Sequence, residues 1–457
     1  MTVGPPIEEL HLAQTPEVDD IPGETSRRLI ERQSRLDSSA IAYPDRVPMA
    51  LSEAKGATIE DADGNVFLDL FGGIGVANVG HSNPYVVKAV TEQTERLVHT
   101  LDFPTDARLE LLEELDAIAP GDLPGNARMV FGGPTGTDAI EATIKLAKDN
   151  TDGRGLVAFR GGYHGTSTGA MSLSSARKYK EDYAPLLADV TFAPYPDPVG
   201  LDTGSEITVE HALSEVRAAV EDPYGGLSNP AGIWVEPIQG EGGVAVPPEG
   251  FLRGLGEIAA ENDLPLIVDE IQTGIGRTGE WFASDHFGVT PDAVTMAKAL
   301  GGIGLPLSGT LYHEDLDEWE PGSHVGTFRG YAPAFRAGVR AIEYIRRRDL
   351  LAHATELGAY IRARLREAGE DSPFLVDVRG KGLLVGAEFR TPEGEPFGAF
   401  VDDLQRRCFE RGVLVWTAGR DRHVLRLLPP LVLTERQAEA AMDVVTACIE
   451  DVMRERG

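Results

Sequence analysis

Between about residues 84 and 310 the chain alternates two textures. Short apolar runs end in Gly, Asp or a Gly-rich turn, and between them apolar residues recur three and four apart. The runs predict strands at 127–131, 155–159, 189–193, 231–235, 264–269 and 293–296. They are apolar throughout rather than alternating, so the sheet they form should be parallel and wrapped by helices. After Arg329 the pattern changes. Long Arg/Glu-rich amphipathic helices are expected at 332–347, 350–367 and 435–455, with short strands at 375–379, 383–389, 413–417 and 424–427. Upstream, residues 57–69 read as a hairpin around Asp63-Gly64-Asn65, and 26–38 as a charged helix. Residues 1–24, rich in Pro, Glu and Asp, are expected to be partly disordered. The expected organisation is α/β. An acidic extension (1–24) precedes a large domain (76–330). A smaller α+β domain is assembled from an N-terminal part (25–75) and a C-terminal part (331–457). No internal repeat is visible.

Composition narrows the partners. The 457 residues carry a net charge of −31, and only eight of the 42 basic residues are lysine. Such a field repels nucleic acid and anionic membrane surfaces. Acids spread over the whole chain point to a solvated, halophilic shell rather than an ordinary acidic surface. No apolar run is long enough to span a bilayer, and the acidic N-terminus lacks a basic-then-apolar export signal. Cys408 and Cys448 give neither a disulfide framework nor a zinc spacing, so the expectation is a cytoplasmic protein without a metal.

Four stretches carry chemistry. The predicted strand 264–269 ends in Asp269, at the carboxyl edge where open α/β sheets keep their ligands. The next strand delivers Lys298 into Ala299-Leu300-Gly301-Gly302, where a bare ammonium is costly and must be paired, neutralised or used. An acid and a lysine on neighbouring strand ends are the two protein groups that pyridoxal phosphate requires, the lysine for a Schiff base and the acid for the pyridinium nitrogen. Thr135-Gly136-Thr137 opens a helix after a strand and a Gly-Gly-Pro turn, a phosphate cradle or else a plain capped turn. Tyr163 and His164 stand between glycines at another strand end, placed for stacking on a flat ring or for core packing. Glu241 lies in a Gly-rich loop and Arg426 in an apolar run. A buried Arg needs a carboxylate, so the two form either a fixed ion pair or alternating partners for a substrate carboxylate.

With these stretches assembled, the chain resembles the class III, ω-amino-acid type, pyridoxal-phosphate-dependent aminotransferases of fold type I, from about Ser26 to the C-terminus. The most specific segment is Val268-Asp269-Glu270-Ile271-Gln272-Thr273-Gly274-Ile275-Gly276-Arg277-Thr278-Gly279, followed by Lys298. Within the group it looks most like the diaminobutyrate–2-oxoglutarate aminotransferases. The resemblance implies that Lys298 forms the covalent link and shuttles the proton, and that Asp269 pairs with the ring nitrogen. It puts Ile271 and Tyr163 on the two ring faces with His164 alongside, and Gln272 at the phenolic oxygen. It gives the phosphate to Thr135, Gly136 and Thr137. It sends Thr327 to the partner subunit's phosphate, so the unit is a homodimer with its active site at the interface. Arg426 holds the substrate α-carboxylate and Glu241 is its switch partner. The substrates implied are a small-molecule amino donor, best 2,4-diaminobutyrate, and 2-oxoglutarate. Many members carry Arg where this chain has Thr166, and Asn is common where Tyr331 stands. Racemases or epimerases on the same scaffold also lack that Arg, and a 4-aminobutyrate or ornithine type of transaminase is a further alternative.

Overall fold

The computed structural model describes residues 4–187, 189–197, 206–370 and 372–456. Its centre is a seven-stranded sheet, in the order Ala127–Phe131, Gly309–His313, Ala293–Met296, Leu266–Asp269, Pro230–Val235, Gly155–Phe159, Val190–Ala193. Six of these strands are the expected ones. Two begin later than expected because the residue before them has a positive φ or is a proline: Asp189 at 59° and Pro265. The seventh, Gly309–His313, was not expected. It runs antiparallel between Ala127–Phe131 and Ala293–Met296, while the remaining pairs are parallel.

Side chains alternate between two cores on either face of this sheet. Val157, Phe159, Ile233, Val235, Leu266 and Val268 join one cluster, with Phe251 and Leu255 of the Phe251–Glu261 helix. Leu156, Ala158, Trp234 and Ile267 join the other, with Ile140 and Ile144 of the Gly136–Thr151 helix. Burial on both faces is why the strands read as unbroken apolar runs.

Two four-stranded sheets complete the fold. One is antiparallel throughout: Leu375–Lys381, Leu384–Phe389, Val424–Leu427, Trp416–Ala418. The other adds Val413–Leu414, in parallel, to the Leu51–Lys55, Thr58–Asp61 and Val66–Asp69 strands. The run 413–417, expected as one strand, therefore splits at Val415 and serves both sheets. The charged helix is Glu24–Ser34, ending earlier than expected. Residues 4–24 are tied down rather than disordered. Leu10 is buried, Leu12 N–H donates to Thr58 Oγ1 at 2.9 Å, and Tyr344 Oη donates to the Pro5 carbonyl at 2.9 Å. The acidic composition overstated the solvation of this stretch, because Leu10 joins the main apolar core and Ile7 packs against it.

Candidate active site

A cavity of about 340 Å³ opens at the carboxyl ends of the parallel strands. Its lining includes Thr135, Gly136, Thr137, Tyr163, His164, Glu236, Asp269, Ile271, Gln272 and Lys298. Ten residues from five separate stretches thus converge because each stretch leaves the same sheet edge.

Asp269 ends the Leu266–Asp269 strand and is buried. Its Oδ1 accepts from Ile271 N–H at 3.0 Å and from Thr295 Oγ1 at 3.1 Å. Its Oδ2 accepts from His164 Nδ1 at 2.7 Å. Three donors fix the carboxylate in place. His164 is therefore a support for Asp269. Neither it nor Thr295 was assigned that part from sequence, because the contacts cross between strands.

Lys298 follows the adjacent Ala293–Met296 strand. Burial lowers its pKa to about 8, with Arg426 acting in the same direction, while Glu241, Asp269 and Glu236 oppose the shift. Glu236 lines the cavity with one oxygen, Oε2, that has no hydrogen-bond partner among the described residues. Burial first and Asp269 second push its carboxyl far above the ordinary range. The sequence showed this acid at a strand end but gave it no part.

At the helix start, Asp138 folds back to accept from Thr135 N–H and Oγ1, at 3.0 and 2.8 Å. That leaves the first-turn N–H groups of Gly136 and Thr137, which have no intrahelical partner, at the positive end of a 16-residue helix. Gly165 presses on this turn. Its φ is +121°, and a Cβ there would lie 2.2 Å from Thr137 Cγ2.

Arg426 stands in the Val424–Leu427 strand and is fully buried. Its Nη1 donates to Glu241 Oε1 at 2.6 Å and to Gln272 Oε1 at 3.2 Å. Its Nε and Nη2 have no partner among the described residues. Burial works against ionisation of Glu241, but Arg426 and Lys298 outweigh it and hold the carboxyl below its usual range. Gln272 reaches this pair because Gly240 is beside it; a Cβ at Gly240 would lie 2.1 Å from Gln272 Oε1. Tyr43 and Tyr179, unforeseen from sequence, stand close enough to Glu241 and Arg426 to feel their charges, and Tyr179 packs on Tyr163 at 5.1 Å.

Glu241 and Arg426 do not line the cavity themselves but join it through Gln272. Thr327 stands apart: it lines a separate groove with Leu101, Phe103, Pro104 and Val325 and does not reach this cavity within one chain.

The residues present fit pyridoxal phosphate. A helix start with two hydroxyls suits the phosphate, a braced carboxylate suits the ring nitrogen, and Lys298 has its amine at the cavity. The partnerless nitrogens of Arg426 suit a substrate carboxylate.

Comparisons agree with this chemistry. The family model described as aminotransferase class-III matches residues 41–449. A diaminobutyrate–2-oxoglutarate aminotransferase of Rhizobium meliloti (strain 1021) is 38% identical over 439 residues, covering 93% of each chain. An alanine/serine racemase of Pyrococcus horikoshii is 34% identical over 442 residues, covering 94% of this chain and 92% of its own. Among solved structures, the ornithine aminotransferase of Toxoplasma gondii, described with partial occupancy of PLP at its active site, superposes with a TM-score of 0.83. It is 29% identical and covers 95% of this chain and 96% of its own.

Proposed function

The chain belongs to the class-III aminotransferase family, and from that premise we propose that it moves the ω-amino group of a diamino acid, 2,4-diaminobutyrate foremost, to 2-oxoglutarate. As a member of that family it is a pyridoxal-phosphate-dependent transaminase of fold type I. When bound, the cofactor supplies the electron sink through which an amino group is exchanged.

Each protein group then has a task. Lys298 anchors the cofactor and moves the proton at the substrate carbon that bears nitrogen; a lysine whose pKa is about 8 is suited to take and return a proton near neutrality. Asp269, braced by His164 and Thr295, holds positive charge at the ring nitrogen. Thr135, Gly136 and Thr137 hold the phosphate, Ile271 and Tyr163 flank the ring, and Gln272 takes the phenolic oxygen.

One observation carries the substrate reading: Arg426 is buried, paired through one nitrogen to Glu241, and open through two others. An ω-amine donor presents no carboxylate next to its reacting carbon, so Glu241 neutralises Arg426 while that donor binds. A 2-oxo acid does present one, and it displaces Glu241. Racemization is not favoured, since diaminobutyrate aminotransferases recur among the relatives, from Rhizobium meliloti, Bordetella parapertussis and Haemophilus influenzae.

The proposal includes a homodimer. Leu101, Phe103, Val325 and Phe328 are exposed around Thr327, an apolar patch that a second copy would cover while bringing Thr327 to its phosphate. It also includes a halophilic, cytoplasmic setting, supported by the charge of −31 and by two free, buried cysteines.

The test is a donor panel with 2-oxoglutarate, read as glutamate formed. Turnover should be highest with 2,4-diaminobutyrate. Scrambling of one amino-acid enantiomer without any oxo acid, and no glutamate from any amine, would replace transamination by racemization.

A further inference from the structure

Arg379 lies outside the cavity, in the Leu375–Lys381 strand, yet every nitrogen of its guanidinium is engaged. Nε donates to the carbonyls of Gly243 and Val244, both at 3.1 Å, and Nη2 to Gly243 O at 2.6 Å. Nη1 donates to Asp377 at 2.9 Å and to Glu388 at 2.6 Å. The two carbonyls belong to the turn that carries Glu241.

That turn is strained. Val244 is buried at φ +55°, a conformation a β-branched residue rarely adopts. Its base is closed by paired hydrogen bonds between Gln239 and Ala245, each 3.0 Å, and Gly419 N–H donates to the carbonyl of Glu241 at 3.0 Å. Strain persists only where surrounding contacts over-determine it, and the Arg379 guanidinium supplies such contacts through its bonds to both carbonyls.

Strand register adds the second observation. Arg379 pairs with Gly386 on one side, and Gly386 pairs with Arg426 on the other. The two arginines therefore stand level across three strands. One grips the backbone beyond Glu241, and the other takes its carboxylate. Val244 packs on the glycine between them; a Cβ at Gly386 would lie 2.9 Å from Val244 Cβ.

We infer that Arg379 is a positioning residue that holds the Glu241 carboxylate on Arg426 through the strained turn, and so sets the balance between ω-amine and α-amino substrates. This rests on the Arg426–Glu241 reading above. A guanidinium can bridge two carbonyls and two carboxylates at once; an ammonium cannot reproduce that fork. Loosening the turn leaves Arg426 less fully neutralised. Donors without a carboxylate at the reacting carbon then suffer, while those with one are spared.

The experiment compares single-turnover half-reactions of the holoenzyme with 2,4-diaminobutyrate and with L-glutamate, followed by the cofactor's visible spectrum. The readout is the ratio of the two rates. Glu241→Gln should lower the ω-to-α ratio on the order of tenfold, and Arg379→Lys about threefold in the same direction. Gly386→Ala, whose methyl would press first on Val244 and leaves the Arg379 side chain itself unchanged, should also lower the ratio, and it serves where Arg379→Lys fails to fold. An unchanged ratio in both Arg379→Lys and Gly386→Ala, with Glu241→Gln shifted, overturns the inference and leaves the ion-pair reading intact. An unchanged ratio in Glu241→Gln overturns both.

Discussion

At the scale of single residues, the site is a set of charges held apart by neighbours. Lys298 has its ammonium destabilised chiefly by burial, to a pKa of about 8. The neutral amine is the nucleophile, so loading of apoprotein with cofactor should speed up as pH rises toward 8 and level off above it. Stopped-flow loading rates check this; a rate still climbing to the ordinary lysine value near 10.5 would contradict it. Arg426→Lys keeps a charge but loses the planar fork, and should cost about 10- to 100-fold in kcat/KM for carboxylate-bearing substrates. Steady-state kinetics with 2-oxoglutarate reads it. Lys298 and Arg426 stood out in the sequence because burial of a charge must have a reason, Asp269 because it ends a predicted strand at the sheet's carboxyl edge, and Glu241 because a buried Arg needs a carboxylate. Glu236 and Thr295 were not, because their meaning lies in which strand runs beside which.

Elements do the convergence. Five strand ends and one helix start meet at one edge because the parallel sheet sends every turn the same way. The segment 268–279 divides its labour. Asp269, Ile271 and Gln272 face the cavity, while Glu270 caps the following turn through Ala283 and Ser284 N–H at 3.0 and 2.8 Å. Arg277 turns into the interior, where its guanidinium meets Asn78 at 3.0 Å and the Pro429 carbonyl. Glu270→Ala leaves two buried N–H groups unpaired and should cost about 2–4 kcal/mol, read as a lowered denaturation midpoint. Gly165→Ala drives a methyl into Thr137 at the turn proposed to hold the phosphate. It should weaken cofactor binding by roughly tenfold or more in equilibrium dialysis, since a packed turn cannot absorb such an overlap without moving. The sequence placed six strands of the central sheet through their apolar runs. The Gly309–His313 strand escaped because a glycine opens it and a loop precedes it. The switch at Val415 escaped because a one-residue break leaves the apolar run uninterrupted.

For the whole molecule, the sheets formed by the two chain ends lock onto the large sheet through buried arginines, and an acidic surface surrounds them. A charge of −31 repels itself, so added KCl should raise the melting temperature, most steeply below about 1 M as screening shortens the Debye length from roughly 10 Å at 0.1 M to 3 Å. A melting point insensitive to salt would contradict the halophilic reading. If the proposed homodimer forms through the exposed apolar patch, Phe328→Asp should shift sedimentation from dimer to monomer and, by displacing Thr327, weaken cofactor binding. Composition made the charge plain, but the patch becomes visible only once the fold brings residues 101–104 beside 325–328. The most direct test of the chemistry exploits the scarcity of lysine. Holoenzyme is reduced with borohydride to fix the cofactor in place, digested, and mapped by mass spectrometry. The pyridoxyl phosphate mass should sit on the peptide containing Lys298; finding it on any of the seven other lysines, or on none, would contradict the assignment.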